Sequence, residues 1–230
     1  MKDVSSMEGL AKEVANLRKG MDNGFRQMEA LVNLHGIVPV GHVMPTPTSW
    51  AASPDFLLYL VSQVQERRPN SILDLGSGVT TIWMANAIRH FGIPGRVVAI
   101  DHDNDFGEAT AAALRRQGLS AYAEVRIAQL TELSINEEQW RWYDPTEMGD
   151  IEMCDLLVID GPPGYVHPLS RYPALPILVS KLSDGAQILL DDASRSDEQI
   201  IVERWLREYP DWRADLIDHK KGTAILTRSR

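Results

Sequence analysis

Four apolar runs in this chain each carry a carboxylate at a strand-like end: "SILDLGSG" with Asp74, "VVAIDHD" with Asp101, "LLVIDGPPG" with Asp160, and "ILLDDAS" with Asp191 and Asp192. Each run has the length of a buried strand rather than a helix. Helical patterns separate them: "TTIWMANAIRHF", "DFGEATAAALRRQG" and "SDEQIIVERWLREY". "AEVRIAQL" reads as a further strand, and "RYPALPILVSKL" as mostly helical. Such alternation predicts an α/β fold, a doubly wound Rossmann-like sheet of mostly parallel strands with helices on both faces. The closing "WRADLIDHKKGTAILTR" reads as two strands joined by a short turn. It predicts an antiparallel strand at one edge, a common addition to parallel sheets.

Three segments precede or make up this pattern. Residues 1–36 repeat Met7, Val14, Met21 and Met28 at seven-residue spacing, with Leu10, Leu17 and Leu31 between them. That heptad pattern predicts an N-terminal coiled-coil helix that joins copies into a homo-oligomer, the competing reading being a helix packed on its own domain. Gly20 and Gly24 predict a break near "KGMDNG", since each costs about 1 kcal/mol against Ala. Residues 37–52 form a linker rich in Pro and Gly, and Trp50 in it would cover a ligand or pack on the core. Residues 53–230 form the main domain, opening at Ser53-Pro54-Asp55, a helix start by its cap, its proline and its acid.

Composition narrows the partners. A formal net charge of −9 opposes general nucleic-acid binding, which leans on Lys and Arg, so no nucleic-acid partner is expected. The single cysteine, Cys154, cannot form an internal disulfide, and the start of the chain lacks a signal-peptide pattern. Both point to a reducing, cytoplasmic setting. No apolar run nears the roughly 20 residues of a membrane helix.

In open α/β sheets ligands bind beyond the carboxyl ends of the strands, so the strand ends are where chemistry is expected. "LDLGSGVTT" offers Asp74, Gly76, Ser77, Gly78, Thr80 and Thr81. Its glycines let backbone N–H groups approach a ligand at a helix start. Asp101, beside His102, follows at the distance of a carboxylate that grips ribose hydroxyls. A dinucleotide loop has a third glycine where this chain has Thr81. Asp74 would also repel a pyrophosphate. A cationic nucleoside such as S-adenosylmethionine suits this charge better than NAD, and an NAD-type oxidoreductase is the weaker alternative. A third reading is non-catalytic: a coiled-coil scaffold carrying a cofactor-binding domain.

"ILDLGSGVTT", "VVAIDHD", "DLLVIDGPPG" and "ILLDDASR" resemble, in order and spacing, successive motifs of class I S-adenosylmethionine-dependent methyltransferases. "IDGPPG", "RYPAL" and "LLDDA" resemble a bacterial group of small-molecule O-methyltransferases. The resemblance runs from about Ser71 to the C-terminus. It implies a seven-stranded sheet with the last strand antiparallel. Asp74, Gly76, Ser77 and Gly78 would line the methionine end, Asp101 the ribose, and Gln129, after the third strand, the adenine.

Asp160, Asp191 and Asp192 would end neighbouring strands. Three close carboxylates tolerate each other if a proton is shared or a cation sits between them, and an all-oxygen set suits Mg²⁺ or Ca²⁺. Catechol-type relatives of the resembled family hold Mg²⁺ with Asp after the fourth strand and Asp-Asn after the fifth; this chain has Asp-Asp. Mg²⁺ is therefore one expectation, direct substrate binding a second, and plain turn caps a third. Asp160 and His167 are the candidate catalytic residues, His167 as a base with an ordinary pKa near 6.5. Tyr165 and Arg171 are candidate substrate contacts, a guanidinium being suited to a carboxylate or phosphate. The Trp-rich "EEQWRWYDPTEMGDIEM" is expected to be a lid or a surface-packing insertion. The function expected is methyl transfer to a hydroxyl of a small molecule or sugar.

Overall fold

The computed structural model describes residues 2–42, 44, 51–151 and 153–229; Trp50 and much of the linker lie outside them. The helices are α1 (Lys2–Ile37), α2 (Pro54–Arg67), α3 (Val79–Phe91), α4 (Asn104–Arg116), α5 (Ala174–Leu178) and α6 (Ser196–Glu208). The strands are β1 (Ser71–Leu75), β2 (Arg96–Asp101), β3 (Ala123–Ile127), β4 (Leu130–Ile135), β5 (Glu138–Tyr143), β6 (Cys154–Ile159), β7 (Leu182–Asp191), β8 (Trp212–Ile217) and β9 (Thr223–Arg228).

Seven strands form one sheet in the order β3-β2-β1-β6-β7-β9-β8. All pairings from β3 to β7 are parallel, and β9 runs antiparallel to both β7 and β8. The closing hairpin thus occupies the edge, with its antiparallel strand on the inner side. Strand order reverses between β1 and β6, which opens a crevice at their carboxyl ends.

Because successive side chains in a strand face opposite ways, each central strand feeds two cores. Leu73, Leu75, Leu157 and Ile188 face a core shared with Trp142, Tyr172 and Trp205. Ile72, Leu156, Val158 and Leu189 face a second core under α2 and α3, reached by Leu34 of α1 and Ala113 of α4.

Two expectations change. First, α1 is one unbroken helix through Gly20 and Gly24. A penalty of about 1 kcal/mol per glycine is small beside the anchoring of its last turns, where Ala30 and Leu34 are buried. Gln27 also donates to Asp55 Oδ2 at 2.8 Å. Second, the Trp-rich insertion is not surface packing. Its first half is β5, paired antiparallel with β4 as a separate hairpin, and Trp140 and Trp142 are buried. Trp140 packs on Tyr172 with ring centroids 4.5 Å apart. The Arg204 guanidinium sits over the Tyr172 ring at 3.9 Å. "RYPALPILVSKL" is helical only over α5 and a following 3-10 turn. At α2, Ser53 is the N-cap by position, but its hydroxyl donates to Asp55 Oδ1 at 2.5 Å and accepts no helix N–H.

Trp83 anchors the second core: it is fully buried on α3 and meets the His35 ring of α1 edge-on at 5.1 Å. Trp83→Ala is expected to cost about 3–5 kcal/mol, measured by urea unfolding; a loss below about 1 kcal/mol would contradict this packing.

Candidate active site

The crevice between β1 and β6 is a cavity of about 830 Å³. Its walls include Gly76, Ser77, Gly78 and Thr80 from the loop after β1, and Asp101 and His102 from the end of β2. Asp160, Gly161, Tyr165, Arg171 and Asp192 close the opposite side. Predicted residues from four strand ends, those of β1, β2, β6 and β7, therefore converge.

The glycine loop needs its glycines. Gly76 has φ +104° and Gly78 has φ +147°, conformations that side-chain-bearing residues rarely adopt. A Cβ on Gly76 would also lie 3.1 Å from the Gly161 nitrogen. That closeness reflects how the two loops are joined: the Leu75 carbonyl accepts hydrogen bonds from both Asp160 N–H (2.9 Å) and Gly161 N–H (2.7 Å). The turn carrying Asp160 is thereby tied to the glycine loop.

Asp74 is not on the cavity wall. Alternation along β1 puts it on the Ile72 face, under the first turn of α3. There its Oδ2 accepts from the Thr80 and Thr81 hydroxyls at 2.9 and 2.7 Å. The Thr81 hydroxyl oxygen in turn accepts from Gly78 N–H at 3.2 Å. Thr81 at the place of a third glycine is thus a brace for the loop. Burial pushes Asp74 up to about 7, against the pull of the two hydroxyls.

Asp101 is a wall residue held in place from the loop. Its Oδ2 accepts from Ser77 N–H at 3.1 Å and from the Ser77 hydroxyl at 2.6 Å. Its Oδ1 accepts from Asp103 N–H at 3.0 Å. Beyond it, Phe106, Ala109 and Ala113 of α4 give the cavity an apolar flank.

At the other end, Arg171 is a buried counter-ion rather than a free arm. Its Nη2 donates to Asp192 Oδ2 at 2.9 Å and to Asp160 Oδ1 at 3.3 Å. Its Nη1 donates to the Asp191 carbonyl at 2.8 Å and lies 3.4 Å from Glu198 Oε1. Arg195 and Lys221 also reach Asp192, at 3.0 and 3.5 Å. Burial pushes Asp160 up to about 6, opposed by Arg171 and reinforced by Asp192. Burial, then the charges of Asp160 and Asp192, push Asp191 up to about 8.

Two predicted residues stand apart. His167 does not line the cavity: its Nδ1 is 2.6 Å from the Pro168 carbonyl and its ring packs on Trp140. Gln129 is exposed and outside the wall; its carbonyl accepts from Asp144 N–H at 2.9 Å, closing the β4–β5 hairpin. Among the wall residues that sequence reasoning did not single out, two are aromatic. Tyr143, at the end of β5, is brought in by that hairpin, and Phe106 by α4. The aromatic content of the insertion was the only signal for Tyr143.

The raised carboxylates set a pH dependence. Between the unfolded value near 4 and about 7, native Asp74 holds a proton that the unfolded chain releases. Stability therefore falls as pH rises through that window, and Asp160 and Asp191 act with the same sign up to about 8. The urea midpoint is expected to be higher at pH 5 than at pH 8, with a shallower fall in Asp74→Asn. A midpoint that rises from pH 5 to pH 8 contradicts this.

Comparison with known proteins agrees with the site. A family profile described as "Methyltransferase domain" matches residues 73–193. No curated protein matches. Among solved structures, the chain is similar to the SAH-bound methyltransferase PaMTH1 from Podospora anserina: TM-score 0.62, 14% identity, 87% of this chain and 88% of that one covered. It is also similar to the SAM-bound O-methyltransferase TomG from Streptomyces achromogenes, at TM-score 0.60 and 15% identity over 88% and 90% of the two chains. An SAH complex of the O-methyltransferase from Bacillus cereus gives TM-score 0.60 and 16% identity over 89% and 91%. At these identities the structures speak for the fold. The family match spans just over half of the chain and takes in the glycine loop, Asp101, Asp160, Asp191 and Asp192, and by it the chain belongs to the methyltransferase domain family.

Proposed function

We propose that this chain transfers a methyl group from S-adenosylmethionine to a hydroxyl of a small molecule, a sugar among the fitting acceptors. The observation that carries this reading is one cavity walled by the glycine loop, by Asp101 and by Asp160. Asp101 would accept hydrogen bonds from the ribose hydroxyls, and the α4 flank would cover the adenine. At the end of β2 the wall carries Asp101 and Asp103, while Asp160 and Asp192 are paired with Arg171 and Arg195; the carboxylates beside the glycine loop suit a cationic nucleoside better than the pyrophosphate of a dinucleotide. Bound S-adenosylmethionine supplies a methyl group on a sulfonium, a leaving group that takes the bond's electron pair. The chain's own work is to align the acceptor oxygen in line with that bond and to take its proton. Asp160, on the wall and raised toward neutrality, would take the proton, and Tyr165 would contact the acceptor. His167 lies off the wall and has no part in this proposal.

Mg²⁺ does not fit the acid cluster as it is arranged. One oxygen from each of Asp160, Asp191 and Asp192 lies within 4.8 Å of the others. Yet the Arg171 guanidinium already occupies the hydrogen-bonding gap between Asp160 and Asp192. Unit charges of like sign about 4 Å apart repel by about 4 kcal/mol at an effective dielectric of 20, and a divalent ion doubles that.

The reading also includes a homo-oligomer built through α1. Met7, Leu10, Leu17, Met21 and Met28 are each more than half exposed, while the other face of the helix, with Ala30 and Leu34, packs on the domain. A parallel, in-register pairing of this seam would set Glu13 against Arg18 of a second copy, the favourable arrangement for residues flanking a heptad seam. Light scattering is expected to give a dimer or larger for the full chain and a monomer for Leu10→Glu/Leu17→Glu. A monomeric full chain contradicts the pairing.

Calorimetry tests the cofactor reading. S-adenosylhomocysteine is expected to bind, and Asp101→Asn to weaken it about 10–100-fold, the worth of a hydrogen bond to a charged group. No binding at high micromolar concentrations (roughly K_d weaker than 1 mM, or about 4 kcal/mol) sinks the reading.

A further inference from the structure

The acid cluster at the acceptor end has the composition of a divalent-ion site, and its geometry shows something else at its centre. Arg171 lies on the segment after the Pro-Pro turn, and its side chain is only 3% exposed. Its two terminal nitrogens contact Asp160 beyond β6, Asp191 and Asp192 at the end of β7, and Glu198 at the start of α6. These are the elements a bound cation would join. We propose that Arg171 is the resident cation of this cluster. Its guanidinium stands where a divalent ion would stand, and methyl transfer here proceeds without metal. Arg171 is then a positioning residue that fixes the Asp160 carboxylate against the acceptor. The proposal rests on the methyltransferase reading and deepens it.

Three features support the replacement. Nη2 bridges Asp160 Oδ1 and Asp192 Oδ2, so one oxygen of each of these two carboxylates is hydrogen-bonded to a donor, while the Asp191 carboxylate oxygens are buried without a hydrogen-bond partner. Both Asp192 oxygens also have cationic neighbours, Arg195 at Oδ2 and Lys221 at Oδ1. Together the cluster holds four carboxylates and the three cations Arg171, Arg195 and Lys221, leaving little charge for a divalent ion to neutralise. Finally, the planar guanidinium reaches two carbonyls, those of Asp160 and Asp191. This ties the two strand ends together through the fixed fork of the guanidinium. Mg²⁺ demands near-octahedral oxygen geometry at about 2.1 Å and keeps several waters, and a cluster threaded by an arginine lacks that room.

The test is Mn²⁺ titration of the full chain, followed by electron paramagnetic resonance of the free ion. The wild type is expected to show no stoichiometric site at sub-millimolar Mn²⁺ (on the order of a Kd above 1 mM). Turnover of any hydroxyl acceptor found by screening is expected to survive EDTA. Arg171→Met keeps the length and removes the charge. It is expected to gain a Mn²⁺ site at least about 10-fold tighter, within the range by which neighbouring groups shift metal affinity, and to lose it again with Asp192→Asn. Stoichiometric Mn²⁺ binding by the wild type that Asp192→Asn abolishes overturns the proposal, as does a folded Arg171→Met protein with no gain. If Arg171→Met does not fold, the wild-type titration decides alone. S-adenosylhomocysteine calorimetry on the same preparations separates the two claims. Wild-type Mn²⁺ binding with normal cofactor binding removes only the arginine proposal, and absent cofactor binding removes the methyltransferase reading itself.

Discussion

The acceptor end of this site depends on one buried guanidinium. Asp160, Asp191, Asp192 and Glu198 converge because two parallel strands end where a helix begins, and four carboxylates in so dry a place cannot all stay charged without a partner. Arg171 supplies that partner, and its hydrogen bonds run to carbonyl as well as carboxylate oxygens. The same contacts that neutralise the cluster also register the end of β6 against the end of β7. Breaking a buried pair by removing one partner typically costs about 3–5 kcal/mol, so the electrostatics of the site and the stability of the crevice are not separable.

A second constraint sits at the cofactor end. The Leu75 carbonyl holds both Asp160 and Gly161, and a Cβ on Gly76 would crowd the Gly161 nitrogen at 3.1 Å. The nucleoside side and the acceptor side of the cavity are therefore two ends of one hydrogen-bonded junction between neighbouring strands. A change at the glycine loop is transmitted to Asp160 through the backbone alone.

Much of this was legible in the sequence. The alternation of runs gave the sheet, and the glycine loop with Asp101 gave the position of the cavity, because strand-end chemistry follows from topology. Asp74 was misplaced, although strand alternation carries the signal: it shares the Ile72 face and so lies under Thr80 and Thr81. His167 and Gln129 were placed by proximity along the chain, and the chain turns each away from the cavity. The role of Arg171 was not legible. Its partners lie on three elements, and only tertiary packing shows that it faces inward to carboxylates rather than outward to a substrate. Tyr143 reaches the wall by way of the β4–β5 hairpin, whose register no local pattern near the site encodes.

A crystal structure of the full chain with S-adenosylhomocysteine bears most directly on the central claim. The account predicts ribose hydroxyls on Asp101, the nucleoside across Gly76–Gly78 with its adenine along Phe106, and the sulfur facing open space beside Asp160, with Arg171 still bridging Asp160 and Asp192. A nucleoside bound elsewhere, or an ion between Asp160 and Asp192 with Arg171 swung out, would contradict it.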